Sequence, residues 1–187
     1  MAPFLFIIAV EGLNSIMKEA VEKGVFHGCK LPNGGPTISH LQYVDDTVFI
    51  GDWYTSNSKN ISRVLRCFHL SSGLKVNFNK SSLFGVGVND MEVSSLAAAI
   101  NCKVGRFPMK YLGLPIGVSM NRLEHWGPVI DKFRSKLSRW KASALSAGGR
   151  RLLCKTVLGN LSLYFFSIFK VPKKVCNKLE SFRSRFF

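Results

Sequence analysis

The 187-residue chain is predicted to be an α+β protein made of two unlike halves. Three observations carry that prediction. Short β-rich runs separated by turn residues fill much of the chain up to about residue 117, whereas the spacing is helical almost throughout from residue 120. With 47% hydrophobic and 12% aromatic residues there is material for a packed core, which excludes a disordered chain. Finally, the net charge of +15 lies at one end. Residues 1–100 hold 8 basic and 8 acidic residues, which cancel, while residues 101–187 hold 18 basic against 3 acidic. The two regions are placed at 1–117 and 118–187. The basic one is suited to a polyanion, either nucleic acid or an acidic membrane surface, although a solubilising surface is an alternative.

Taken in order, Leu13, Ile16, Met17, Ala20 and Val21 recur at helical spacing and predict a helix over 12–23. Two extended stretches follow around residues 31–36, where Asn33-Gly34 is a hairpin turn signal. A second hairpin is expected from Thr37–Gln42 and Thr47–Ile50, with Tyr43-Val44-Asp45-Asp46 at its tip. The next helix is capped near Ser56 or Asn57, buries Ile61, Val64, Leu65 and Phe68, and stops at Gly73. Residues 74–88 are consistent with two short strands. Asn89-Asp90 caps a helix presenting Val93, Leu96, Ala97 and Ile100, and Tyr111–Gly117 reads as extended. Beyond it, Trp126, Ile130, Phe133, Leu137 and Trp140 form one helical stripe. After a break at 146–149, Leu152, Leu153 and Val157 continue a second helix, and Val175, Leu179, Phe182 and Phe186 form a third stripe. Trp126, Phe133 and Trp140, with Phe165, Phe166 and Phe169, read as core rather than as platforms for bases.

The five cysteines are odd in number and form no Cys-x-x-Cys pair, which points to a reducing compartment and not to a disulfide framework. His27, Cys29, His40, Cys67 and His69 have no spacing suited to a zinc finger. The apolar runs Pro3–Val10 and Leu161–Phe169 are too short to span a bilayer, and the first lacks the features of a signal peptide. An intracellular protein without a membrane partner is expected. Both termini read as cuts through a larger fold.

Asp45-Asp46 carries the chemistry. A solvated turn accounts for two aspartates, but these are flanked by the apolar segments of a hairpin. Adjacent carboxylates there repel unless a cation lies between them, and hard oxygen ligands suit Mg²⁺ or Mn²⁺. Metal-dependent phosphoryl transfer uses such sites. Neighbouring strand residues point to opposite faces, so the two cannot contribute equally, and a further carboxylate is needed.

Tyr43-Val44-Asp45-Asp46 resembles the Tyr-x-Asp-Asp motif of reverse transcriptases. In order along the chain, Pro3-Phe4-Leu5-Phe6 resembles the close of the family's second palm motif, and Ser72-Gly73-Leu74-Lys75-Val76-Asn77 with Lys80-Ser81 resembles the following one. Tyr111-Leu112-Gly113-Leu114-Pro115 resembles the primer grip. Leu137-Ser138-Arg139-Trp140-Lys141, with Leu145–Arg150, resembles the start of the thumb. The chain as a whole is similar to the palm and thumb of a plant LINE-type (non-LTR) retrotransposon polymerase.

The resemblance implies a partial palm of antiparallel hairpins with packed helices, then a helical basic thumb. It implies an RNA template, a DNA primer, deoxynucleoside triphosphates and Mg²⁺ or Mn²⁺ as ligands of the intact enzyme. Asp45 would be the principal metal ligand and Asp46 its weaker partner, with the first catalytic aspartate upstream of Pro3. Tyr43 would stand beside the primer terminus, and Lys80 near the leaving pyrophosphate, unless it is simply a solvated lysine. Tyr111, Leu112 and Gly113 would approach the primer strand, unless they form only a tight bend. Gly148-Gly149-Arg150-Arg151, with Lys155, would offer N–H groups and cations to a phosphate, unless they form a helix–helix turn. A non-catalytic basic nucleic-acid-binding remnant is the alternative.

Overall fold

The computed structural model describes residues 2–139 and 145–186. The fold is α+β: helices alternate with short two-stranded pairings, three antiparallel and one parallel among the described residues. The chain divides into two compact units, Met1–Arg106 and Phe107–Phe187. Trp140 and Lys141 of the thumb-like motif lie outside the described residues, as do the side chains of Ser138, Arg139, Val157 and Leu161.

The first unit opens with α1 (Ala2–Glu22), which extends the expected 12–23 helix back through the apolar run at 3–10. Only its second half meets the core. Leu13, Met17 and Ala20 are buried, whereas Phe4, Leu5, Ile7 and Ile8 are exposed. The pair β1 (Cys29–Lys30) and β2 (Thr37–Ile38) follows, with Asn33 and Gly34 both at positive φ in a turn closed by the Gly35 N–H on the Pro32 carbonyl at 3.3 Å. This is the turn Asn-Gly favours. Strands β3 (His40–Tyr43) and β4 (Asp46–Phe49) form the second hairpin. Helix α2 (Thr55–Ser72) ends on Gly73, whose φ of 74° lets its N–H reach the His69 carbonyl.

Two readings of this unit change. The expected cap at Ser56 or Asn57 is replaced by Tyr54, which makes no side-chain cap bond, because Asn57 is turned inward. Residues 74–88 form a 3₁₀ turn at Phe78–Lys80 and a single strand, β5 (Ser82–Leu83), instead of two strands. Strand β5 runs parallel to β6 (Lys103–Val104) across α3 (Asp90–Ala99), which Asn89 caps as expected. Burial of Val93 and Ala97 fixes the buried face of α3, and Gly105 lets the Phe84 ring lie where a Cβ would clash at 2.5 Å.

The core of the first unit joins Leu13, Met17 and Ala20 of α1 to Val64, Leu65 and Phe68 of α2, with Phe26 between them and Phe49 of β4 packed against the cluster. The polar centre beside it is Asn57, 4% exposed. Its Oδ1 accepts the His27 N–H at 2.8 Å, and its Nδ2 donates to the carbonyls of His27 at 2.8 Å and Asp52 at 2.9 Å. At the same place Gly28 bridges Gly51, where a Cβ would meet the His27 carbonyl oxygen at 2.6 Å. One amide thus satisfies backbone groups on both sides of the hairpin's base, where an unpaired buried N–H is costly.

The second unit opens with β7 (Met109–Tyr111) and β8 (Leu114–Ile116), so the segment read as extended turns back on itself at Leu112-Gly113. Both turn residues have positive φ, 51° and 81°. The helices are α4 (Gly127–Arg139), α5 (Ala147–Leu153), α6 (Gly159–Ile168) and α7 (Lys173–Phe186), with a π-helical segment, Cys154–Leu158, joining α5 to α6. Gly148 and Gly149 are inside the first turn of α5, and are not a break before it: Ser146 caps the helix, accepting the Gly149 N–H at 3.2 Å. The core gathers Trp126, Val129, Ile130, Phe133, Phe165, Val175 and Leu179, with Phe166, Phe169 and Phe182 partly buried against it. Trp126 is fully buried and donates its indole N–H to the Met120 carbonyl at 2.7 Å. Trp126, Phe133 and Phe165 are therefore core, as their spacing predicts.

Replacing Asn57 by Ala removes three hydrogen bonds and strands the His27 N–H. The expected loss is about 3 kcal/mol of unfolding free energy, with Asn57→Asp no better, because its carboxylate still accepts from His27 but sets a buried charge against two carbonyl oxygens. Urea denaturation of the two variants checks this.

Candidate functional site

The β3–β4 hairpin presents the aspartate pair. Tyr43 stands opposite Asp46 in the last pair of the ladder, so the connecting turn is Val44-Asp45 alone. Asp45 therefore belongs to the turn and Asp46 to the first position of β4. Val44 has φ 54° while Asp45 stays at negative φ, the sense of a type II′ turn whose first position normally takes glycine. A β-branched side chain there is strained.

The register settles which way the side chains face. Tyr43, Leu41, Asp46 and Val48 share one face of the hairpin, and His40, Gln42, Thr47 and Phe49 share the other. Phe49 belongs to the core of α1 and α2, so the second face is turned inward. Tyr43, Val44, Asp45 and Asp46 are all exposed. Gln42 lies under the turn, with its Nε2 3.5 Å from the Val44 carbonyl. Behind it, His40 is half-buried, its Nδ1 3.0 Å from the Ser39 hydroxyl and its ring 6.3 Å from Phe49. Burial, aided by the charge of Lys18, pushes the His40 pKa below its usual value.

The tip thus presents Asp45 in its turn and Asp46 at the strand start as two exposed carboxylates that make no ion pair with a cation among the described residues. Lys80 stands apart, at the end of the 3₁₀ turn, with its backbone N–H on Asn77 and no ion pair to either aspartate. Among the described residues no group of three or more His, Cys, Asp or Glu side chains is placed to hold a metal ion.

In the second unit, Tyr111 and Leu112 are half-buried and Gly113 is exposed at the other two-residue turn. The Tyr164 hydroxyl of α6 donates to the Leu112 carbonyl at 2.8 Å, pinning that turn to a helix 52 residues along the chain. Sequence reading missed Tyr164, and its position in an aromatic run gave no signal of a polar role. On α5, Arg151 is exposed and Arg150 half-buried, its Nε without a partner among the described residues, while Lys155 lies exposed in the π segment. The Gly149 N–H, expected to face a phosphate, is already taken by Ser146.

No family model matches the chain. Over 47 residues, a quarter of the chain, it is 38% identical to a protein of Arabidopsis thaliana described as an uncharacterized mitochondrial protein. That stretch spans 38% of the plant protein's length. No helix among the described residues is long and apolar enough to cross a membrane.

The strain at Val44 and the buried side of His40 each give an expected outcome. Val44→Gly removes the Cβ from a left-handed position and raises stability by about 1 kcal/mol, the relief exceeding the added chain entropy; chemical denaturation measures it. For His40 the folded pKa lies below the unfolded value near 6.5. The stabilisation is therefore complete above that value and is lost as pH falls through the window beneath it, because the unfolded chain binds the proton first. Stability measured from neutral pH to about pH 5 is expected to fall more steeply in the wild type than in His40→Gln.

Proposed function

We propose that the chain is part of an RNA-directed DNA polymerase, a reverse transcriptase of the LINE type, with residues 1–117 in the palm and 118–187 in the thumb. The observation that carries this reading is the β3–β4 tip: a Tyr-x-Asp-Asp sequence on a two-residue turn, with one aspartate in the turn, the next at the strand start, and both exposed. The Tyr111–Pro115 segment, which resembles the primer grip, folds as a second tight hairpin. In the intact enzyme the primer 3′-hydroxyl would attack the α-phosphate of a deoxynucleoside triphosphate, forming the new ester and releasing pyrophosphate.

Two adjacent carboxylates suit a hard divalent cation such as Mg²⁺ or Mn²⁺, with Asp45 and Asp46 as ligands. They supply only part of a coordination shell, and no third acidic, His or Cys group joins them among the described residues. No catalytic step is therefore assigned through a metal on these residues alone. The role that this chain can fill by itself is binding. Residues 107–187 carry 16 Lys and Arg against 3 Asp and Glu, a charge balance fitted to the phosphates of a template–primer hybrid. That same balance favours the second reading, a non-catalytic basic nucleic-acid-binding remnant.

A single set of measurements on the 187-residue chain separates these readings. An RNA–DNA hybrid with a recessed primer end should bind, with log affinity falling against log salt by roughly 0.9 per phosphate neutralised. Added Mn²⁺ should broaden the amide resonances of residues 44–46, and Asp45→Asn should remove the effect. Primer extension should be absent or nearly so. Binding with no Mn²⁺ response at the hairpin selects the remnant; failure to bind the hybrid at low salt overturns both readings.

A further inference from the structure

Helices α4 and α7 pack against each other within the second unit and leave an open groove of about 530 Å³ along their line of contact. It is lined by Arg134 and Leu137 of α4 and by Lys178, Phe182, Arg185 and Phe186 of α7. Three cations from two helices therefore converge on an apolar strip, and among the described residues no carboxylate takes part in the lining. Arg134, Lys178 and Arg185 are exposed and make no ion pair among the described residues, in contrast to Arg183, which Glu180 holds at 2.6 Å. Phe182 and Leu137 are half-buried, each with one side packed on the core cluster.

We infer that this groove binds single-stranded nucleic acid, its bases laid against Phe182 and Leu137 and its phosphates met by Arg134, Lys178 and Arg185. The inference rests on the reading of the basic half as nucleic-acid binding and narrows it to one strand and one place. The charge of the lining requires an anionic occupant. Its apolar strip separates the candidates, because the outer surface of a duplex offers phosphates but no exposed base face to cover Phe182. An unpaired strand offers both, and stacking of a base on an aromatic side chain tolerates any sequence. A run of acidic side chains could match the cations, but it brings no apolar face to cover Phe182 and Leu137.

The test uses the full chain, a fluorescein-labelled oligo(dT) strand and a blunt duplex of the same length. Arg134→Gln with Arg185→Gln should weaken strand binding at least tenfold and lower the log–log salt slope by about 1.4, at roughly 0.7 per single-strand phosphate contact. Phe182→Leu, which keeps an apolar group on the core, should weaken strand binding about fivefold or more with duplex binding unchanged. Because Arg134 and Arg185 are exposed, the double variant reports on binding even if Phe182→Leu unfolds. Duplex binding with unaltered strand affinity in the double variant, or displacement of the strand by poly-glutamate at a lower concentration than by unlabelled oligo(dT), overturns the inference but leaves the wider reading standing. Absence of both strand and duplex binding overturns the two together.

Discussion

The side-chain amide of Asn57 is the point on which the first unit's architecture turns. It lies on α2, yet its partners are the backbone of His27, just after α1, and of Asp52, just after β4. Those segments are also where Gly28 meets Gly51 and closes the base of the hairpins. Apolar packing between α1 and α2 supplies the bulk of the burial, but it is non-directional and would tolerate sliding. Three hydrogen bonds of fixed geometry do not. They hold the base of β4 against the start of α2, and Gly51 must lack a side chain for the amide to fit. The exposed aspartate tip therefore sits at the far end of a lever whose fulcrum is a buried polar contact.

The second unit solves its own packing differently. Trp126 occupies the middle of the core with Phe165 and Phe166 around it at centroid distances of 6.4 and 6.1 Å, and its one polar atom finds the Met120 carbonyl. Arg134 and Lys136 of α4 and Lys173, Lys174, Lys178, Arg183 and Arg185 of α7 are all exposed, which is why so strong a net charge coexists with an ordinary apolar interior. Self-repulsion among exposed cations in water is modest at these separations and is further screened by salt.

Where the sequence was informative, the signal was local. Gly73 and Asn89 marked helix ends because left-handed φ and side-chain capping are properties of single residues. The stripes around Trp126 and Val175 were legible because burial imposes a helical period. Asn57 was misread as a cap because a sequence does not reveal whether an amide faces its own helix or a loop 30 residues away. Residues 74–88 were misread as two strands because a parallel partner at Lys103–Val104 leaves no hairpin signature. At the aspartate tip the pair and its hairpin were readable, but the division of roles was not: placing Asp45 in the turn depends on a one-residue register. The convergence of Arg134, Lys178 and Arg185 depends on how two helices meet, and no spacing within either helix encodes it.

The π-helical segment between α5 and α6 has a consequence for evolution of this chain. A π turn arises when one extra residue is accommodated inside a helix without breaking it. In a regular α-helix an added residue would rotate everything beyond it by about 100°, whereas the wider turn takes it up locally. The faces of α6, including Phe165 toward the core and the Tyr164 hydroxyl toward the Leu112 turn, therefore follow directly on the widened turn at Cys154–Leu158. Loss of one codon there would close the wide turn to an ordinary one and leave α6 facing nearly the same way, so this segment is where the second unit can absorb a change of length.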